Sequence, residues 1–150
     1  MKFQTTWALP LVLLLVSGAA AADGMIATKS SMGAKETMDR FESVVKQKGM
    51  TVFLRVDHAA GAAKVDKKLR ATELLVFGNP KGGTPLLECA QTSGIDLPLK
   101  ALVWEDPAGQ VWLGYNDPAF IAARHQAAQC SIVGAMTKTL AGFVKEALAK

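Results

Sequence analysis

The chain has 150 residues, half of them apolar and a fifth charged, enough for one domain with a proper core. The 17 Lys and Arg against 13 Asp and Glu leave a formal charge of +4. Such a weak, scattered basic excess is not a nucleic-acid footprint, which asks for a denser stripe with stacking aromatics.

The N-terminus carries Lys2, an apolar run from Trp7 to Val16, and the small residues Ala20 and Ala22 just before Asp23. That order reads as a signal peptide over residues 1–22, cleaved after Ala22. The expected location is therefore periplasmic or secreted. The apolar run is short for a spanning helix of about 20 residues, so no stable membrane span is expected after cleavage. Removing Lys2 with the signal leaves a charge of +3.

Residues 23–150 read as a single α+β domain. Met25 to Lys29 suggests a first strand. Ser31 to Lys48 suggests a helix, with Met38, Phe41, Val44 and Val45 at helical spacing and Gly49 ending it. Thr51 to Asp57 is a strand whose strict alternation places Val52, Leu54 and Val56 on one face. His58 to Lys68 reads as a short alanine-rich helix, weakened by Gly61. The cluster Lys64, Lys67, Lys68 and Arg70 reads as a solvated face.

Thr72 to Gly78 is an apolar strand stopped by Gly78-Asn79-Pro80. Lys81-Gly82-Gly83 follows, and Thr84-Pro85 fits the N-cap and first position of a helix running to Gln91. On this reading the amides of Gly82, Gly83 and Thr84 converge at a positive helix end beside Lys81. Such a place suits phosphate, sulfate or carboxylate, and Asn79, Lys81, Gly82, Gly83 and Thr84 are its candidate ligand-binding residues. The alternative is a turn whose glycines only make the corner. The spacing is not that of a P-loop.

Leu97-Pro98 leads into the clearest hairpin in the chain, Leu99 to Glu105 and Gln110 to Tyr115. Asp106-Pro107-Ala108-Gly109 fits a type I turn with glycine in the left-handed position. This register sets Trp104 opposite Trp112, with Leu102 and Gly114 on the same face. Val103, Val111, Leu113 and Tyr115 take the other. Both faces are apolar, so the tryptophan face needs a cover: the chain's own segments, a dimer partner or an apolar ligand. Asp117-Pro118 opens a helix through Arg124. Ile132 to Leu148 is the last helix, with Val133, Met136, Leu140, Val144 and Leu148 as its stripe.

The segments FGNPKGGTPL from Phe77, GIDLPLKALVWED from Gly94, and YNDP at Tyr115 followed by Arg124-His125 resemble the domain-of-unknown-function 302 family. The resemblance covers roughly Ile26 to His125. It implies a small, dimeric α/β domain with no established reaction. Asp57-His58, Asn79-Pro80, Leu97-Pro98, Tyr115 and Arg124-His125 fall at that family's recurring residues. The cysteines lie outside its pattern.

Cys89 and Cys130 are the only thiols. Export permits a disulfide between them, and two buried free thiols are equally consistent with the sequence. Together with His58 and His125 they lack the paired spacing of a metal site, so no metal and no cofactor is expected. His125 is the better histidine for a ligand contact. No nucleophile elbow, zincin motif or dinucleotide fingerprint is present, and no catalytic residue is singled out.

The expected fold is a two-layer α+β sandwich, a sheet of about five strands with helices on one face. The expected function is binding of a small anionic or apolar ligand, or of a partner, by an exported homodimer. Two alternatives are a hydrolase or redox enzyme using a histidine, and an assembly module dimerising through Trp104 and Trp112.

Overall fold

The computed structural model describes residues 23–149. The signal-peptide reading falls on residues 1–22, outside the described residues. Eleven elements follow in order: β1 (Met25–Ser30), α1 (Ala34–Gln47), β2 (Thr51–Asp57), α2 (His58–Ala63), β3 (Thr72–Gly78), α3 (Pro80–Cys89), a 3-10 turn (Gln91–Ile95), β4 (Leu99–Glu105), β5 (Val111–Asn116), α4 (Pro118–Arg124) and α5 (Ile132–Leu148).

The five strands form one antiparallel sheet in the order β1-β5-β4-β3-β2. The α+β sandwich expected from the sequence is what the chain forms. The consecutive strands β1 and β2 lie at opposite edges, so α1 carries the chain across one face of the sheet between them. The stripe Met38, Phe41, Val44 and Val45 of α1 is buried there, as is Leu140, Phe143, Val144 and Ala147 of α5. Beneath them lie Leu75, Phe77, Ala101, Val103, Leu113 and Tyr115 from the sheet. Phe41 meets Phe77 edge to face, ring centroids 5.4 Å apart.

A second cluster holds the helices together beyond the sheet's end: Leu86 of α3, Ile121 and Ala122 of α4, Val133 and Met136 of α5. Local chemistry sets the ends. Gly49 at φ +77 closes α1, with Met50 N donating to Val45 O at 3.0 Å. Asp117 Oδ1 accepts from Ala119 N at 2.9 Å and opens α4 ahead of Pro118.

The expected alternation of β2 is corrected by a bulge between Val52 and Leu54. The extra residue shifts the pleat, so Val52 packs on the core while Leu54 and Val56 turn to the uncovered face. Beyond the bulge Arg55 also points to the helical side. Its guanidinium bonds Glu73 of β3 through Nε and Nη2, and Asp39 and Glu42 of α1 at 2.7 and 2.9 Å. Glu73 first, then the two helix acids, push its pKa up. The Asp39 and Glu42 carboxyls are held below the usual range, each first by a neighbouring lysine and then by Arg55.

Candidate functional site

The glycine-rich segment is built differently from the anion nest expected of it. Asn79, not Thr84, is the N-cap, and α3 begins at Pro80. Asn79 Oδ1 accepts from Lys81 N at 2.9 Å. The Asn79 carbonyl takes both Gly82 N and Gly83 N at 3.0 Å. Thr84 lies a turn further in, where helix geometry commits its amide backward, and Pro85 sits inside the helix. The main-chain donors assigned to an anion are thus already used by the chain's own oxygens. The cap-then-proline logic was correct in kind but belongs to Asn79-Pro80, where the asparagine also donates Nδ2 to Gly49 O at 2.9 Å. Asn79 thereby ties the start of α3 to the end of α1.

The same residues form part of a different site. A cleft of about 470 Å³ opens between α3 and α5 at the sheet end carrying the Thr51–Gly78 pair. Its floor is Phe53, Gly78 and Leu99. Leu87 of α3 and Leu97 stand on one side, and Ile132, Met136, Leu140 and Phe143 of α5 on the other. Asn79, Thr84 and Thr139 supply its few polar groups, and among the described residues no charged side chain lines it. Gly82 and Gly83 complete the α3 wall without side chains. A β-carbon at Gly82 would meet nothing within 4 Å, so the glycines leave space open there. A concave, apolar, uncharged cleft of this size accommodates a small uncharged molecule and disfavours an ion, whose hydration it cannot replace.

His125 is not among the cleft-lining residues. It caps the C-terminus of α4, and both ring nitrogens are engaged. Nε2 lies 2.7 Å from Asp96 Oδ2, and Nδ1 lies 3.1 Å from Thr92 Oγ1. Arg124 Nη1 joins the same carboxylate at 3.0 and 3.1 Å. Arg124-His125 therefore clamps α4 to the 3-10 turn and the segment after it, which carries Gly94 and Leu97 to the cleft. The imidazole acts here as a strut. His58 begins α2 on the exposed surface.

The sulfurs of Cys89 and Cys130 lie at bonding distance, their Cα atoms 6.1 Å apart. They stand at the end of α3 and in the turn before α5, the two helices that wall the cleft. Trp104 and Trp112 pair across β4 and β5 in the expected register, with near-parallel rings whose centroids are 6.2 Å apart. They lie on the sheet face away from α1 and α5. Lys29 Nζ stands 5.4 Å over the Trp112 ring. Trp112 Nε1 donates to Asp106 Oδ2 at 2.9 Å, and that bond holds the Asp106 carboxyl below its usual range.

Sequence reasoning missed the cleft because its walls come from segments some 50 residues apart. In the sequence Met136 and Leu140 read as part of the apolar stripe of the last helix, with nothing to mark them as lining an opening. The width of that stripe was the available signal: one side of it faces the core and the other the opening. The Asp96–His125–Thr92 contact had no sequence signal, since Asp96 and His125 are 29 positions apart.

A family model described as "Domain of unknown function DUF302" matches residues 26–147. The chain is 44% identical over 128 residues to "Fluoride-specific ion channel FluC 1" of Brucella suis biovar 1 (strain 1330), covering 79% of this chain and 50% of that protein. It is equally similar to "Fluoride-specific ion channel FluC 2" of Brucella melitensis biotype 1, covering 47% of that protein. The chain thus spans about half the length of the curated relatives it matches, and the channel name describes those longer proteins. The fold resembles the crystal structure of an uncharacterized conserved DUF302 protein from Bacillus stearothermophilus. The TM-score is 0.75 at 22% identity, covering 84% of this chain and 99% of that one.

Proposed function

This chain belongs to the domain of unknown function DUF302 family, and within that fold we propose that it binds a small, uncharged, apolar ligand in the cleft between α3 and α5. One observation carries the reading: an open cleft of about 470 Å³ with apolar walls and, among the described residues, no charged side chain. Water in such a place is poorly bonded, and its displacement by apolar surface favours binding. The reading includes export. The run Trp7 to Val16 and the Ala20-x-Ala22 site support removal of residues 1–22. The Cys89 and Cys130 sulfurs at bonding distance suit an oxidising compartment. The test is titration with a neutral solvatochromic dye such as N-phenyl-1-naphthylamine. Saturable enhancement is expected, and Ala135→Trp, which fills the cleft from the exposed side of α5, should abolish it. Enhancement that is non-saturable, or unchanged in that variant, would sink the reading.

A second reading, compatible with the first, is a homodimer through the tryptophan face. Its support is the sheet face opposite α1 and α5, which holds the half-buried Trp104, Trp112 and Leu102 with Leu54, the last 54% exposed. Sedimentation across a concentration series should show a dimer that Trp112→Ala dissociates. A monomer at every concentration removes it.

A further inference from the structure

The connection from β2 to β3, residues 58–71, leaves the sheet at the Asp57–Glu73 pair and returns where Ala71 O accepts from Glu105 N at 2.9 Å. No residue of α2 is buried, and residues 63–70 are all exposed. The protrusion is nevertheless built to hold a shape. Asp57 Oδ1 caps α2 by accepting from Ala60 N at 2.8 Å. At the other end Asp66 sits at φ 55, and Lys67 N reaches back to Ala62 O at 3.0 Å, the bond of a Schellman stop.

Four cations stand on this protrusion: Lys64, Lys67, Lys68 and Arg70, against the single acid Asp66. Among the described residues none of the four enters an ion pair. Arg70 Nε bonds the neutral Glu105 carbonyl at 3.1 Å, with the Asp106 carboxylate within reach of its charge. Between the cations, Val65 and Leu69 are 66% and 49% exposed. Cations interleaved with exposed aliphatic side chains are the pattern that meets both the charged and the apolar layers of a membrane interface.

We propose that this protrusion docks the protein on an anionic phospholipid surface. The lysines meet headgroup phosphates, while Val65 and Leu69 enter the boundary between headgroups and acyl chains. Charge complementarity selects the partner class, and the aliphatic pair separates a bilayer from a nucleic acid. Residues 58–71 contain no Phe, Tyr or Trp on which a base would stack. The protrusion leaves the sheet beside the Asp57–Glu73 pair, whereas the cleft opens at the end carrying Thr51–Gly78. A membrane-docked protein therefore keeps its cleft free.

The test is co-sedimentation of the processed chain, residues 23–150, with two kinds of vesicle, phosphatidylcholine alone and about three parts phosphatidylcholine to one part phosphatidylglycerol. Binding to the anionic vesicles is expected to exceed that to the neutral ones by at least about tenfold, and to fall steeply between about 50 and about 500 mM salt. The triple variant Lys64→Gln, Lys67→Gln, Lys68→Gln should lose that preference, and Val65→Ser with Leu69→Ser should weaken anionic binding. All five positions are exposed, so unchanged melting temperatures verify folding. Equal binding to both vesicles, or an unaltered preference in the triple variant, overturns the proposal. So does duplex DNA binding of equal strength that the serine variant leaves intact, which would mark a general polyanion surface.

Discussion

The indole of Trp104 lies across Gly114 of the neighbouring strand. A β-carbon at Gly114 would stand 2.8 Å from Trp104 Cζ3 and 3.1 Å from Cη2. The glycine therefore seats the ring that pairs with Trp112. Gly114→Ala is expected to displace the indole and cost about 1–3 kcal/mol, read as a lower denaturant midpoint and altered tryptophan fluorescence. An unchanged midpoint would show that the ring moves aside freely.

Asn79 holds α3 with its side chain and its carbonyl. Asn79→Ala leaves the carbonyl bonds to Gly82 and Gly83 but removes those to Lys81 N and Gly49 O. A loss of about 1–2 kcal/mol is expected by chemical denaturation. Because the first amides of α3 are internally bonded, phosphate or sulfate should raise the melting temperature no more than matched chloride. A sulfate-specific rise abolished by Lys81→Ala would restore an anion site.

Arg55 of β2 joins three carboxylates, one from β3 and two from α1, and Arg55→Ala should cost about 1–2 kcal/mol after allowance for partial solvent screening. The pH dependence is more diagnostic. Asp39 and Glu42 titrate below their unfolded values, so the unfolded chain takes up protons first as pH falls. Their contribution is complete above the ordinary carboxylate range and is lost as pH drops through it and below. Urea midpoints measured from neutral pH into that acid range should fall in the wild type and fall less in Arg55→Ala. Parallel curves would remove Arg55 from the acid response.

Joining Cys89 to Cys130 closes a loop of 41 positions. In the chain-entropy account, the double variant Cys89→Ala, Cys130→Ala should lose about 3–4 kcal/mol relative to the oxidised protein. Reductant should lower the wild-type melting temperature toward that of the variant. A wild type indifferent to reductant, with two thiols titratable after unfolding, would establish free cysteines.

The β4–β5 hairpin shows how far local chemistry reaches. Asp106 and Gly109 make the turn, Gly109 at φ +79, and the turn alone dictates that Trp104 faces Trp112. The stripe of α5 was equally readable, because helical period and burial coincide over 17 residues. The start of α3 was not. Asn79-Pro80 and Thr84-Pro85 carry the same cap-then-proline signature, and the Asn79 bond to Gly49, made across 30 positions, lies with the first. The β2 bulge was hidden for a similar reason, since it exists only against β3.

What the amino-acid order determined by itself was the set of elements with their turns and apolar stripes, each depending on residues within a few positions of one another. What only the tertiary structure decided was how distant pieces meet. It sent β1 and β2 to opposite edges, brought α3 against α5 to open the cleft, and closed His125 onto Asp96. The physical reason is that periodicity records which side of an element turns from water, while which other element covers that side depends on contacts whose ends are far apart along the chain.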